Sequence, residues 1–188
     1  MAKRAFDIVF AVLGLAALGW LILILALTVR LGTPGPGIFA QERVGRHGRV
    51  FTCYKLRTMY RETRAAASHH TSVAAVTTLG RWLRRLKLDE LPQLWNVLTG
   101  DMSFVGPRPC LPMQTELVEA RRALGVFDIR PGITGKAQVL GVDMSEPQRL
   151  ARLDAEYARE QSVLGDLTLI LQTVAGGGRG DRVDTGVR

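Results

Sequence analysis

The sequence has few of the residues that build disulfide scaffolds and soft metal centres. Its 188 residues include two cysteines, Cys53 and Cys110, and three histidines. Two cysteines exclude a disulfide-rich secreted scaffold and a four-cysteine zinc site. The shortage of histidine also argues against a metal centre built from soft ligands. Aromatic residues make up only 6% of the chain, which disfavours the stacking surfaces that bind single-stranded nucleic acid.

Three common motifs are also missing from the sequence. It contains no GxxxxGK[ST] segment, no GxGxxG segment and no GxSxG segment. A nucleotide would therefore not be held by a P-loop or a dinucleotide-binding fold, and no serine stands on a nucleophile elbow.

The composition describes one folded, basic domain. Hydrophobic residues make up 47% of the chain, which excludes a disordered protein. Lysine and arginine number 25 against 17 acidic residues, so the net charge is +8. A basic chain attracts polyanions such as nucleic acid, anionic lipid head groups or phosphorylated substrates, and composition alone does not choose among them.

The N-terminal part contains a run of 22 residues, 8–29, without a charged side chain. As a helix this run extends about 33 Å, enough to cross a hydrocarbon core of about 30 Å. It is longer than the apolar part of a signal peptide and ends at Arg30 rather than at a small-residue cleavage site. Lys3 and Arg4 precede it, so positive charge flanks both ends. This leaves open a transmembrane span and a re-entrant segment that returns to the same face.

Turn residues and periodicity divide the rest of the chain into short elements. The Gly- and Pro-rich segment 32–37 ends a membrane segment, 1–31, and begins a soluble part, 32–175. Residues 38–44 and 50–56 predict a β-hairpin. We therefore expect a mostly helical α/β fold. Its other predicted elements are helices at 79–88 (basic and amphipathic), 91–98, 114–124, 147–162 and 164–174, a short helix and a loop within 60–76, loops at 101–112 and 130–135, and a flexible tail at 176–188.

The adjacent acidic residues Asp89 and Glu90 are the first candidates for chemistry. Because Pro92 suits only the first turn of a helix, we expect Asp89 at the N-cap of the helix that runs to Thr99. Exposed N–H groups there keep a carboxylate ionised and attract phosphate. An ionised aspartate beside a bound phosphate is arranged for nucleophilic attack on phosphorus. The alternative from these residues alone is that Asp89 is merely a helix cap.

Cationic residues on rigid segments accompany this acidic pair. Arg108 stands between two prolines and Arg130 precedes a Pro-Gly pair. Arginines braced in this way lose little entropy when they bind phosphate, and a transferring phosphoryl group requires such charge stabilisation. The pattern favours a diphosphate ligand. The predicted phosphate-binding residues are Lys55, Arg57, Arg84, Arg108 and Arg130.

Four segments resemble the bacterial sugar transferase family, the monotopic polyprenyl-phosphate phosphoglycosyl transferases. They are FAQERVG at 39–45, KLRTM at 55–59, LDELPQLWNVLTGDMSFVGPRP at 88–109 and RPGITGKAQV at 130–139. The likeness extends in order over residues 3–174, and the long third segment is highly specific. The chain is similar to the small, minimal members of the family, without the additional N-terminal membrane helices of the large ones.

The resemblance implies transfer of a phospho-sugar from a UDP-sugar to polyprenyl (undecaprenyl) phosphate, with release of UMP. This is the first membrane step in assembling glycans such as exopolysaccharide or lipopolysaccharide. Asp89 matches the family's nucleophile, which carries a covalent phospho-sugar that the polyprenyl phosphate then attacks. Glu90 matches the second acidic residue, which positions the metal or transfers a proton. The implied cofactor is Mg²⁺, with Asp89 as its ligand.

The resemblance also implies a place in the cell. The N-terminal helix enters one leaflet of the bacterial inner membrane, breaks and returns. The resemblance makes 32–175 the catalytic part, which then lies on the cytoplasmic face. Amphipathic surface helices there contact membrane lipids around the active site. No nucleic-acid partner is expected, and a homodimer is left open.

This sequence departs from the family pattern at three places. Gly19 and Trp20 stand where a Ser-Pro pair usually breaks the helix, so the clearest cause of a kink is missing. Lys87 replaces a small hydroxyl residue and Lys136 a tryptophan, and both are expected near the ligand site. Two alternatives are an inactive membrane scaffold that binds nucleotide or lipid phosphate, and a membrane-anchored nucleic-acid binder. The acidic pair disfavours the second.

Overall fold

The computed structural model describes residues 2–61 and 75–176. Most of the segment 60–76 and nearly all of the predicted tail lie outside the described residues. The long helix α1 (Ala2–Gly32) comes first. The elements that follow are β1 (Ile38–Val44), β2 (Val50–Leu56), α2 (Thr78–Arg85), α3 (Gln93–Thr99), β3 (Ser103–Val105), α4 (Thr115–Ala123), β4 (Gly132–Thr134), α5 (Lys136–Val139), α6 (Pro147–Glu160) and α7 (Val163–Val174).

Helix α1 is continuous over 31 residues and has two different faces. Asp7, Ala11 and Val29 are buried against the rest of the protein, and their spacing places them on one stripe of the helix. Trp20 and Leu23 are exposed on the outer surface, the latter by 72%. Within the described residues, α1 is the one helix long and apolar enough to cross a membrane. The predicted N-terminal apolar helix is therefore present and compatible with a membrane anchor.

Both ends of α1 pack against the same globular body. Near the N-terminus, Ala11 joins an apolar cluster with Cys53, Val97 and Met102. Near the C-terminus, Val29 joins a second cluster with Leu56 and Leu83. Because β2 supplies a residue to each cluster, this strand links the two ends of α1.

Buried polar contacts fix the first turns of α1. The Asp7 carboxylate accepts hydrogen bonds from Ser103 Oγ (3.0 Å) and from the Phe104 backbone N–H (3.2 Å). Lys3 forms an ion pair with Asp166 of α7, whose side chain is 1% exposed. A helix that only dipped into lipid would not require these partners, so the start of α1 is part of the folded body.

The predicted hairpin is confirmed, and a second pair of strands was not predicted. Strands β1 and β2 pair antiparallel with Gln41 opposite Cys53. Strands β3 and β4 pair parallel, Ser103 opposite Gly132, within the segments predicted as loops. Strands of three residues are too short to produce a period-two pattern. Their close approach also depends on glycine, because a Cβ on Gly132 would lie 2.1 Å from the Gly106 nitrogen.

Candidate active site

The acidic pair lies in a single 3₁₀ turn, Leu88–Glu90, between α2 and α3. Lys87, which precedes the turn, adopts the left-handed conformation (φ 56°) and changes the chain direction. The prediction that Asp89 caps the following helix is wrong, since Pro92 occupies the N-cap position of α3. Proline lacks an N–H and already fits a helical φ, so the helix begins there. Asp89 is buried, with 6% of the residue exposed.

The Glu90 carboxylate forms ion pairs with two of the basic residues that were predicted to bind phosphate. Arg108 Nη2 lies 2.9 Å from Glu90 Oε1, and Lys55 Nζ lies 3.3 Å from the same oxygen. The side chains of Lys55, Glu90 and Arg108 are 14%, 15% and 15% exposed. Water therefore screens these contacts less than it would screen surface pairs. Strand β2 supplies Lys55 and the Pro-Arg-Pro loop supplies Arg108. The structure thus brings three residues of the sequence prediction together beside Asp89.

Arg84 lies on the last turn of α2, directly before this acidic turn. Its Nε donates to Thr58 Oγ1 at 2.9 Å, and Lys87 N donates to the Arg84 carbonyl oxygen at 3.1 Å. Its Nη1 is buried and has no hydrogen-bond partner among the described residues. A buried guanidinium nitrogen that lacks an acceptor is costly unless an acceptor such as a ligand oxygen completes it.

Arg57 directs its guanidinium to the end of α1. Its Nη2 donates to the Thr33 carbonyl (2.8 Å) and hydroxyl (2.9 Å) oxygens and to the Val29 carbonyl oxygen (3.3 Å). Its Nη1 donates to the Pro34 carbonyl oxygen. These carbonyls belong to the last turn of α1 and to the two residues that follow Gly32, where the backbone lacks internal donors. The geometry therefore gives Arg57 a structural role at the end of α1, and its predicted phosphate contact stays a prediction.

Arg130 likewise lies apart from the acidic turn, at the opposite end of α3. Its Nε donates to the Gly100 carbonyl oxygen at 2.8 Å, and Arg4 donates to the Val97 and Leu98 carbonyl oxygens there. Burial, and then repulsion from Arg4 and Arg46, lower the pKa of the Arg130 guanidinium. The two arginines cap the C-terminus of α3, so Arg130 does not join Glu90 and Arg108.

A largely apolar cavity of about 360 Å³ adjoins the acidic turn. Phe10, Gly14 and Leu18 of α1 form one of its walls. Polar side chains stand in its lining beside the apolar ones, namely Lys87, Glu90, Arg108, Thr134, Gln138 and Thr173. The cavity therefore presents charged side chains near Glu90 and apolar side chains along α1, as an amphiphilic ligand requires.

The two lysines that depart from the family pattern have different positions. Lys87 lines the cavity, and its Nζ donates to the Thr173 carbonyl oxygen at 3.1 Å. Lys136 pairs on the surface with Glu156 (3.1 Å) and Glu160 (3.0 Å) of α6. Hydrogen bonds to Glu160 and Glu156 raise the pKa of Lys136. The expectation that Lys136 lies at the ligand site is not met, because α6 supplies it with acceptors elsewhere.

Sequence reasoning gave no role to two buried residues that support the site. Asn96 Nδ2 donates to the Thr52 carbonyl oxygen (2.7 Å), and its Oδ1 accepts from Tyr54 N (3.0 Å), which joins α3 to β2. Arg121 donates to the Arg108 carbonyl oxygen at 2.8 Å. The position of Asn96 within the apolar pattern of 91–98 could have indicated a buried polar residue. No local sequence pattern distinguishes Arg121 from the exposed arginines.

Comparison with known proteins places these features in a family. The bacterial sugar transferase model matches residues 1–178. An undecaprenyl-phosphate glucose phosphotransferase of Komagataeibacter xylinus is 41% identical over 187 residues, covering 93% of this chain and 35% of that protein. A UDP-glucose:undecaprenyl-phosphate glucose-1-phosphate transferase of Caulobacter vibrioides is 40% identical and covers 93% of this chain and 68% of that protein.

A third relative, the exopolysaccharide production protein ExoY of Sinorhizobium fredii, is 35% identical over 193 residues, with 93% of this chain and 84% of that protein covered. The chain thus spans about a third of the first relative's length and most of the other two. The predicted resemblance is confirmed, and the chain belongs to the bacterial sugar transferase family.

Proposed function

We propose that this chain transfers a sugar 1-phosphate from a UDP-sugar to undecaprenyl phosphate or a similar polyprenyl phosphate. The observation that carries the proposal is the position of the Asp89–Glu90 turn. Glu90 of this turn contacts Lys55 and Arg108, and Glu90 and Arg108 also line an apolar cavity that has α1 as one wall. The charged UDP-sugar requires polar and cationic surroundings, whereas the polyprenyl chain requires apolar ones. The charged residues supply the first and the cavity supplies the second. The names of two relatives contain glucose, and one of them names UDP-glucose, which makes UDP-glucose the first donor to test.

In the first proposed step, an Asp89 carboxylate oxygen attacks the β-phosphorus of the UDP-sugar. A P–O bond to Asp89 forms, and the bond from the β-phosphorus to the bridging oxygen breaks. UMP leaves with that oxygen and the electron pair, and the phospho-sugar stays on Asp89. Burial of Asp89 supports this assignment, because a shielded acyl phosphate is protected from hydrolysis.

In the second step, a phosphate oxygen of the polyprenyl phosphate attacks the same phosphorus. The Asp89 carboxylate is the leaving group and is regenerated, and the product is a polyprenyl diphosphate sugar. The cavity along Phe10, Gly14 and Leu18 supports a place for the first isoprene units, since its lining is largely apolar. Reaction in two steps on one carboxylate gives ping-pong kinetics.

Cationic groups stabilise the charge that develops on the phosphoryl oxygens. Arg108 and Lys55 stand beside Glu90, and Arg84 has a buried nitrogen available for an acceptor. We assign these three to the phosphates of the donor. Glu90 then sets the positions of Lys55 and Arg108 through its shared oxygen and takes part in proton transfer or metal positioning.

Mg²⁺ is the proposed cofactor. The described residues contain no group of three or more histidine, cysteine, aspartate or glutamate side chains placed to hold a metal. Mg²⁺ does not require such a group, because proteins commonly hold it through one or two carboxylates while substrate phosphates and water supply the other ligands. The acidic turn supplies two carboxylates, Asp89 and Glu90. Asp89 is the residue that would hold it. When bound, Mg²⁺ would neutralise charge on the diphosphate.

The resemblance predicts a break in α1, whereas the helix is continuous from Ala2 to Gly32. We nevertheless propose that both ends of α1 lie on the same face of the membrane, and that the catalytic part lies on the cytoplasmic face of a bacterial inner membrane. Packing of both ends of α1 against one globular body supports this, since the ends of a straight span would lie on opposite faces. The outer face of α1 and the exposed apolar residues of α7, among them Leu164 and Leu171, suit contact with membrane lipids. A homodimer stays a prediction.

The test is release of UMP by purified protein in detergent, with Mg²⁺ and undecaprenyl phosphate, against a panel of UDP-sugars. We expect UMP with one or two sugars, and loss of release of at least about 10³-fold in Asp89→Asn. Asp128→Asn, at an exposed carboxylate, is the matched control and should retain activity. Folded wild-type protein that releases no UMP with any sugar would favour the inactive scaffold instead.

A further inference from the structure

The Pro-Arg-Pro loop is held at four consecutive carbonyl groups. The carbonyl oxygen of Pro107 accepts from Gly132 N (2.9 Å), and that of Cys110 accepts from Val44 N (2.9 Å). Arg43 Nη1 donates to the Pro109 oxygen at 3.0 Å, and the Arg108 oxygen accepts from Arg121 at 2.8 Å. Donors from β1, α4 and β4 thus fix a segment that lies outside helices and strands.

Arg121 reaches this loop from a buried ion pair. Its Nε and Nη2 lie 3.0 Å and 2.7 Å from Asp154 Oδ2, and the two side chains are 2% and 4% exposed. The remaining nitrogen, Nη1, donates to the Arg108 carbonyl oxygen. One guanidinium therefore connects α6, which carries Asp154, to the loop that carries Arg108.

Burial of two charges requires an explanation, because a well-packed apolar pair often stabilises a fold as well or better. Leu117 of α4 and Leu150 and Ala151 of α6 already join the two helices in one apolar cluster. An apolar pair at 121 and 154 could extend that cluster, but it could not donate a hydrogen bond to the Arg108 carbonyl. Among the contacts described for this pair, the bond to the loop is the one that apolar packing cannot replace.

We infer that Arg121, oriented by Asp154, is a positioning residue for Arg108 in the transfer reaction. Arg108 meets Glu90 at 2.9 Å from a loop whose backbone Arg121 holds. A displacement of about 1 Å in a group that stabilises a transition state can lower the rate about a hundredfold. The inference rests on the proposed function for the chemistry, and on the hydrogen bonds alone for the loop.

The first test is a double-mutant cycle on UMP release. In Arg121→Lys, the lysine keeps a positive charge for Asp154. Its side chain has only one nitrogen, which cannot reach both the Asp154 carboxylate and the Arg108 carbonyl oxygen. We expect kcat to fall about ten- to a hundredfold with Arg108 present. In an Arg108→Gln background the same substitution should change kcat by no more than about twofold. Equal losses in both backgrounds would overturn the inference, because Arg121 would then act independently of Arg108.

Arg122→Lys is the matched control, since Arg122 is the exposed neighbour on the same helix, and it should leave kcat unchanged. If Arg121→Lys does not fold, Asp154→Asn replaces it in the cycle. Asparagine keeps an oxygen for Arg121 and removes the charge, so we expect a smaller loss with the same dependence on Arg108.

The second test needs no turnover and separates this inference from the proposed function. Hydrogen–deuterium exchange is measured in the peptide that covers 104–113, with α6 (Pro147–Glu160) excluded and strand β2 (Val50–Leu56) as internal reference, because β1 itself donates to the loop. Arg121→Lys should accelerate exchange in the loop peptide and not in β2, and Arg122→Lys should change neither. Unchanged loop exchange overturns the inference. Wild-type protein without UMP release, but with faster loop exchange in Arg121→Lys, contradicts the proposed function alone.

Discussion

The Arg108 guanidinium contacts the Glu90 carboxylate, Nη2 lying 2.9 Å from Oε1, although the two residues come from different segments of the chain. Lys55 approaches the same oxygen at 3.3 Å. The residue that follows Asp89 is therefore held by a loop and by a strand. A displacement of either cation changes the acidic turn, which makes this contact the most informative place to perturb the site.

Arg108→Lys should lower kcat about a hundredfold, because lysine keeps the charge but loses the planar fork that can contact Glu90 and a phosphate together. The measurement is steady-state UMP release, with folding checked by thermal unfolding. Arg122→Lys, at an exposed arginine, provides the comparison. Activity within about twofold of the wild type in Arg108→Lys would remove Arg108 from the phosphate site.

Arg57→Lys should destabilise the fold and leave the affinity for the donor unchanged. Arg57 is 6% exposed and satisfies carbonyls at the end of α1, and loss of such buried hydrogen bonds costs about 2 kcal/mol. The Tm should fall by about 4–8 °C, while Arg49→Lys, at an exposed position, should not change it. A raised KM for the UDP-sugar at unchanged Tm would restore the phosphate-binding role.

Leu18→Trp should obstruct the cavity beside the acidic turn, since Leu18 forms part of its wall. We expect the KM for polyprenyl phosphate to rise about tenfold or more, with the KM for the UDP-sugar unchanged. Leu23→Trp is the matched control, because Leu23 lies on the outer face of the same helix. Equal effects of both substitutions, or an effect on the donor alone, would show that the acceptor binds elsewhere.

Single cysteines at the two ends of α1 should be accessible from the same side of the membrane. Ala2→Cys and Leu31→Cys place thiols at exposed positions. Cys53 and Cys110 are buried, and burial raises the pKa of the Cys53 thiol, so the native cysteines should give little background. A membrane-impermeant maleimide should label both introduced cysteines in inverted vesicles and neither in spheroplasts. Labelling of the two from opposite sides would establish a span.

The elements whose residues form a local pattern along the chain could be predicted from the sequence. The apolar run became α1, and the alternating segments around Gly45 became the hairpin. The acidic pair, Lys55 and Arg108 were singled out by residue type and position, and the family resemblance then implied their roles. The parallel pair β3–β4 was missed because three residues carry no period. The Asp89 cap was wrong because Pro92 begins the helix three residues later.

The groups that the arginine side chains contact could not be predicted from the sequence, because each contact depends on tertiary packing. Arg57 and Arg108 both belong to segments that resemble the family. One contacts the end of α1 and the other contacts Glu90. Arg121 and Asp154 are 33 residues apart, and nothing in either helix marks them as a pair. Residue type predicts that an arginine binds oxygen atoms, but only the fold determines whether they belong to carbonyls, a carboxylate or a ligand.

The most direct test of the central claim is a search for the covalent intermediate on Asp89. The protein is incubated with UDP-sugar and Mg²⁺ without polyprenyl phosphate, quenched, and examined by intact and peptide mass spectrometry. We predict a mass increase of one sugar phosphate on the peptide that contains Asp89, with release of about one UMP per protein. The increase should be absent in Asp89→Asn and should disappear when polyprenyl phosphate is added. UMP release that requires polyprenyl phosphate, with no adduct at any time, would contradict the account and indicate direct transfer between the two substrates.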